Sequence, residues 1–179
     1  MRKAIVLVFI SALFLGVVAL AAERGPIVIR SDDDFTADNG VIAGTGTPED
    51  PYIIAGWDIR VPQTASYGVR IENTTAPFIL RGVKVIGAGD PQGAAIYLAG
   101  VHGGAIEDCL VQNSHNGIVL FASQDVAVRD TYLFVAGLGL QVMGSEEAHF
   151  RHRIEQTNTV NGKPIHYYYG LQDQVLEGI

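Results

Sequence analysis

A single cysteine, Cys109, stands in 179 residues, so no disulfide can form within the chain and packing and hydrogen bonds must hold the fold. Cys109 reads as a small buried apolar side chain. Basic residues are scarce as well: 12 Lys and Arg face 19 Asp and Glu, for a formal net charge of −7, and no basic cluster interrupts the acidic balance. Such a surface repels nucleic acid and anionic lipid, which removes nucleic acid as a partner. Metal signatures are also missing. The 5 histidines, His102, His115, His149, His152 and His166, with Met143 and Cys109, include no H-x-H pair, Met-rich run or Cys-x-x-Cys motif. Neither a metal nor another cofactor is expected. His149 and His152, three apart in what reads as a strand, would point to opposite faces. No segment sustains a helical period of 3.6 over ten or more residues, and the asparagine-bearing leucine consensus is absent, which excludes helical and leucine-rich repeats.

One long apolar run exists, and it lies at the start. In "MRKAIVLVFISALFLGVVALAA", residues 1–22, Arg2 and Lys3 precede apolar residues that end in Ala19-Leu20-Ala21, an A-x-A exit. This reads as a secretory signal peptide, with a retained membrane anchor as the other reading. Either places the remainder outside the cytoplasm: secreted, periplasmic or at the cell surface. Removing the leader takes away those two cations and no anion, so the net charge of −7 becomes −9.

Glycine-punctuated segments then repeat. "GVRIENTTAPFILRGVKVIG", "AAIYLAGVHGGAIEDCLVQN" and "GIVLFASQDVAVRDTYLFVAG" each open with two aliphatics one residue apart: Val69 and Ile71, Ile96 and Leu98, Ile118 and Leu120. Those pairs predict strands. Each segment continues with an aliphatic, a Gly or Asp and a second aliphatic: Leu80, Gly82, Val85; Ile106, Asp108, Val111; Val128, Asp130, Leu133. Units of about 22 residues, short and β-branched between Gly, Asn, Asp and Ser turns, predict an all-β fold, a right-handed single-stranded parallel β-helix that buries its apolar face by stacking coils. Residues 23–66 form its opening cap segment and 67–179 its coils.

Two flanking blocks carry a family resemblance. "IVIRSDDDFTADNGVIAGTGTPEDPYIIAGWDI", Ile27 to Ile59, and "NTVNGKPIHYY", Asn158 to Tyr168, resemble the opening and the N-x-V-N-G-K-P-I-x-Y turn of the NosD-like secreted parallel β-helix repeat proteins. That family is associated with copper-site maturation of a periplasmic reductase, so the resemblance implies a periplasmic accessory role as one reading. In the second block Asn161-Gly162 predicts a tight turn with positive φ. Pro164 fixes the exit, and a strand is expected to restart through Ile165, Tyr167 and Tyr169.

Chemistry-bearing residues are few. Asp108 and Asp130 fall at the same place in consecutive coils. Stacked about 5 Å apart they could act as a catalytic pair of a polysaccharide lyase or glycoside hydrolase, or simply fill turn positions; Gly82 breaks their column. Asp32, Asp33 and Asp34 invite calcium, but in one extended run they alternate faces, which favours a solvated loop. Tyr67, Tyr97 and Tyr168 have the strand parity for sugar-stacking positions on the surface, whereas Trp57 reads as core. The expected function is a non-catalytic module that binds a polysaccharide or another cell-envelope component. The chain closes on "DQVLEGI" with no polar cap, so either its coils continue in a longer protein or the exposed edge of the C-terminal coil recruits a second molecule by strand pairing.

Overall fold

The computed structural model describes residues 21–170; the apolar leader and the closing "LQDQVLEGI", with the expectations attached to them, lie outside the described residues. The described chain is all-β and winds into about 4 turns of a parallel β-solenoid with three sheets. Sheet I stacks β2 (Ile27–Ile29), β6 (Tyr67–Glu72), β9 (Ala94–Ala99), β12 (Ile118–Phe121) and β15 (Leu140–Met143). Sheet II stacks β3 (Val41–Ala43), β4 (Tyr52–Ala55), β7 (Phe78–Arg81), β10 (Ala105–Glu107), β13 (Ala127–Arg129) and β16 (Arg153–Ile154). Sheet III stacks β1 (Ala22–Arg24), β5 (Trp57–Arg60), β8 (Lys84–Ile86), β11 (Leu110–Ser114), β14 (Tyr132–Val135), β17 (Thr159–Val160) and β18 (Lys163–Pro164). A coil visits the sheets in the order I, II, III.

The aliphatics of the sequence repeat are the registered columns of the core. Ile29, Ile71, Leu98 and Leu120 are successive partners in sheet I. Ile54, Leu80, Ile106, Val128 and Ile154 align in sheet II, and Ile59, Val85, Val111, Leu133 and Val160 in sheet III. Ile71, Leu98, Leu120, Leu80, Ile106 and Val85 are completely buried. Each such side chain contributes about 1.5–3 kcal/mol of hydrophobic stabilisation, in place of the missing disulfides.

The corner between sheets II and III explains the Gly-or-Asp position. Gly56, Gly82, Asp108 and Asp130 all have positive φ, from 51° to 69°. The first three donate their backbone N–H to the carbonyl one coil on, at Arg81, Glu107 and Arg129. Glycine adopts this conformation freely, and aspartate is among the few side chains that tolerate it. Just inside the same corner runs a second column, Val83, Cys109, Thr131 and Asn158. It turns from apolar to polar toward the C-terminal end: the Thr131 hydroxyl accepts from Cys109 N–H, and Asn158 Oδ1 accepts from Thr131 N–H.

Both ends depart from the simple repeat. At the start Asp32–Asp34 is a 3-10 turn, not an extended run. Asp32 accepts from the backbone of Thr75 and Ala76 and from the Thr75 hydroxyl, while Asp34 accepts from Arg30 N–H. Burial pushes the Asp32 carboxyl up, but those donors outweigh it and hold the group below its usual range. Phe35 stacks on Tyr52 at 4.7 Å and packs on Phe78, and the Trp57 indole, packed on the core, donates to the Gly40 carbonyl. At the other end Asn161 and Gly162, with φ of 50° and 83°, make the expected tight turn, but no coil strand restarts after it among the described residues. The turn closes an antiparallel hairpin of β17 and β18, and Ile165 and Tyr167 fold back against the core. The hairpin wins because its return brings these two apolar side chains over the last coil, and the Tyr167 hydroxyl donates to the Phe150 carbonyl.

Candidate functional site

Sheet I turns one residue of each strand outward beside the inward pair, and its register brings Arg70, Tyr97, Val119 and Gln141 into one row. Tyr67, at the start of β6, leans onto this row. Its ring centroid lies 4.9 Å from that of Tyr97, with the planes inclined at 46°. The Arg70 guanidinium sits 5.0 Å from the Tyr67 ring centre and 5.9 Å from that of Tyr97, a cation–π arrangement. Arg70 Nη2 also donates to Glu72 Oε1 at 2.8 Å, and this carboxylate raises the guanidinium's pKa, so it stays charged. Burial, then the neighbouring Tyr67, raises the Tyr97 phenol, which stays protonated at neutral pH. Neither the Tyr67 nor the Tyr97 hydroxyl has a protein partner among the described residues. Two of the three tyrosines picked out by strand parity therefore form one partly exposed platform.

Tyr168 does not join it. It lies after the terminal hairpin, where its ring pairs with His166 at 6.3 Å and its hydroxyl is 3.4 Å from His166 Nδ1.

Asp108 and Asp130 occupy adjacent positions on the convex II–III corner, where backbone conformation already accounts for them. A basic residue is near: Arg129 Nη1 lies 3.5 Å from Asp130 Oδ2. Arg129 is bound mainly elsewhere, however, because the buried Glu107 is clasped by Arg129 at 2.9 Å and by Arg81 at 3.0 Å from the coils on either side. The ladder ties three successive strands of sheet II together, and the buried Glu107 keeps one cation if the other is removed. Three surface hollows of about 360–450 Å³ are lined by other residues, and neither aspartate borders any of them.

Two histidines, His149 and His152, are held by backbone. His149 lies in a 3-10 turn, Glu147–Phe150, and not in a strand. Its Nδ1 accepts from the N–H groups of Ser145 and Glu146, both at 3.2 Å, within a reciprocal capping box with Glu146. His152 Nδ1 accepts from Val126 N–H, so its Nε2 carries the proton and donates to the His149 carbonyl at 3.0 Å. Burial lowers the His152 pKa against the opposing pull of that carbonyl and of Asp125. Among the described residues no three His, Cys, Asp or Glu side chains converge to hold a metal ion.

Sequence reasoning missed Tyr132 and Phe134, which are 48% and 47% exposed on the outer face of sheet III. The signal was present: they flank the inward Leu133, so alternation alone turns them outward. Compared with protein-family models, with curated proteins and with solved structures, the chain matches none.

Proposed function

We propose that this chain is a secreted, non-catalytic β-helix module that binds carbohydrate of the cell envelope on the outer face of sheet I. The reading is carried by the Tyr67–Tyr97 pair, with Arg70 against both rings. Aromatic faces take up the C–H faces of sugar rings, and two unpartnered phenols and the Arg70–Glu72 pair offer hydrogen bonds to hydroxyls around them. Arg70 adds a second kind of support. Its guanidinium holds both rings in place while pairing with Glu72. The resemblance of Ile27–Ile59 and Asn158–Tyr168 to the NosD-like repeat proteins agrees with an extracytoplasmic location; a copper-delivery role would draw on that resemblance alone.

A glycan array probed with the folded, processed protein tests the proposal. Binding to a related set of glycans is expected, weakened at least tenfold in Tyr97→Ala. An array on which wild type and Tyr97→Ala give the same pattern and strength would contradict it. Turnover of an array glycan that is lost in Asp108→Asn would instead establish the hydrolase or lyase reading.

A further inference from the structure

We propose that the corner where sheet III turns toward sheet I carries a second and separate glycan site, a groove centred on His115 and Phe134 that takes a neutral oligosaccharide along the solenoid axis. Two hollows meet there. One of about 450 Å³ is lined by Asn113, His115, Phe134 and Ala136 among others, and the next, of about 360 Å³, by Gln63, Gly87 and Asp90; they share Gly89. These residues come from successive coils, so the groove runs across the strands. The coils are about 4.8 Å apart, close to the length of one sugar unit, and a linear glycan laid along the axis meets an equivalent corner at each residue.

The side chains suit such a ligand. Phe134 and, two residues before it, Tyr132 give exposed aromatic faces beside Gln112 and Leu110, their partners on β11. The His115 ring lies over Gly137, where a Cβ would come within 2.7 Å of the imidazole Cδ2. The glycine thus makes room for the ring, and neither ring nitrogen has a hydrogen-bond partner among the described residues. A positioned imidazole with free nitrogens beside an open phenyl ring offers both a hydrogen bond and a stacking surface.

Geometry also selects against other polymers. β11 and β14 are paired on both sides, so no backbone edge is open to an added peptide strand and recognition falls to side chains. Asp90 stands at the far end as a carboxylate, its pKa lowered by the Ser66 hydroxyl at 2.5 Å and by the Gln92 N–H. With the chain's net charge of −7, it disfavours anionic glycans.

Titration of isotopically labelled protein with neutral hexasaccharides (gluco-, manno-, xylo- and chito-series) and with an oligogalacturonate, followed by NMR at the His115 imidazole, tests this. A saturable shift of His115 with at least one neutral series is expected. Phe134→Ala, read at His115, and His115→Ala, read at the backbone amides of Gly89, Asn113 and Ala136 that line the same hollow, should each weaken that binding about tenfold. Both variants should keep a cooperative urea transition because neither side chain belongs to the core. Tyr67→Ala/Tyr97→Ala should leave the His115 shift in place. The groove is overturned if no neutral series moves His115, if the Phe134→Ala/His115→Ala double variant binds as wild type, or if the oligogalacturonate binds more tightly than every neutral series. If the sheet I variants abolish all binding, His115 shifts included, the groove fails while the sheet I platform stands. If they change nothing while His115 still responds, the platform fails and the groove stands.

Discussion

Replacing Asn158 with alanine should destabilise the fold by about 3 kcal/mol, and the hydrogen bonds show why. Asn158 is completely buried. Its Oδ1 accepts from Thr131 N–H at 3.0 Å, and its Nδ2 donates to the carbonyls of Val128 and Glu155 at 2.8 and 2.6 Å. The three losses are unequal. The Val128 carbonyl keeps the N–H of Glu155, and the Glu155 carbonyl keeps the N–H of Asn158 itself, so each loses one bond of two, about 0.5–1 kcal/mol apiece. Thr131 N–H has no second acceptor among the described residues and is left unpaired in the interior, at about 1–3 kcal/mol. Urea unfolding read by far-UV circular dichroism measures the sum through the midpoint at constant slope. Asn158→Asp separates hydrogen bonding from volume. It keeps the acceptor for Thr131 but turns a carboxylate oxygen toward two carbonyls, so it should be at least as unstable as the alanine variant at pH 7. Burial and the facing carbonyls raise that new carboxyl's pKa, so its destabilisation should shrink as pH falls and the group takes up a proton. An alanine variant within about 0.5 kcal/mol of wild type, or an aspartate variant as stable as wild type at pH 7, would refute this reasoning.

Ala122 has φ of 46° in the column that Asn73 and Gly100 also occupy; Ala122→Gly relieves about 1–2 kcal/mol of left-handed strain, partly offset by the unfolded chain's added freedom. A net gain of about 0.5–1 kcal/mol in urea unfolding is expected, and a loss would show that the position is not strained. Because His152 is held neutral, with its pKa below the unfolded value, the unfolded state binds the extra proton; stability is full above about pH 6.5 and falls as pH drops below it. His152→Gln should flatten that part of the stability profile, and an unchanged slope between pH 7.5 and 5 would assign the dependence to other groups. Burial pushes the Cys109 thiol up to about 12, so a disulfide reagent at pH 8 should label it only as fast as the protein opens. Rapid labelling of the native chain would contradict its burial.

How much of the fold and the platform was legible in the sequence depended on whether the deciding interaction was local. Leu80, Ile106 and Val128 could be aligned because each coil repeats the same inward step. Gly82 breaks the carboxylate column of Asp108 and Asp130 yet shares their left-handed backbone conformation, a common cause that the residue pattern alone did not reveal. Strand parity put Tyr67 and Tyr97 outward, but their contact rests on the register of β6 on β9, and Arg70 closing over both rests on side-chain packing between coils that no sequence period encodes. The Asn161-Gly162 turn could be read, whereas the direction of the chain after it could not: Ile165 and Tyr167 fold back because the last coil offers them a core to cover. His149 likewise sits in a 3-10 turn set by its own capping box with Glu146, a pairing hidden behind an apparent strand period.

Titration calorimetry of the folded protein against the strongest glycan from the array, with Tyr97→Ala, Arg70→Met and Tyr168→Ala beside wild type, tests the binding platform most directly. Binding should fall at least tenfold in Tyr97→Ala and clearly in Arg70→Met, while Tyr168→Ala binds as wild type. The urea midpoint of Arg70→Met should fall, because Glu72 loses its cation and both rings lose the guanidinium, so affinities are compared under conditions where each variant is fully folded. Equal affinity in Tyr97→Ala and wild type would contradict a carbohydrate platform at Tyr67, Arg70 and Tyr97.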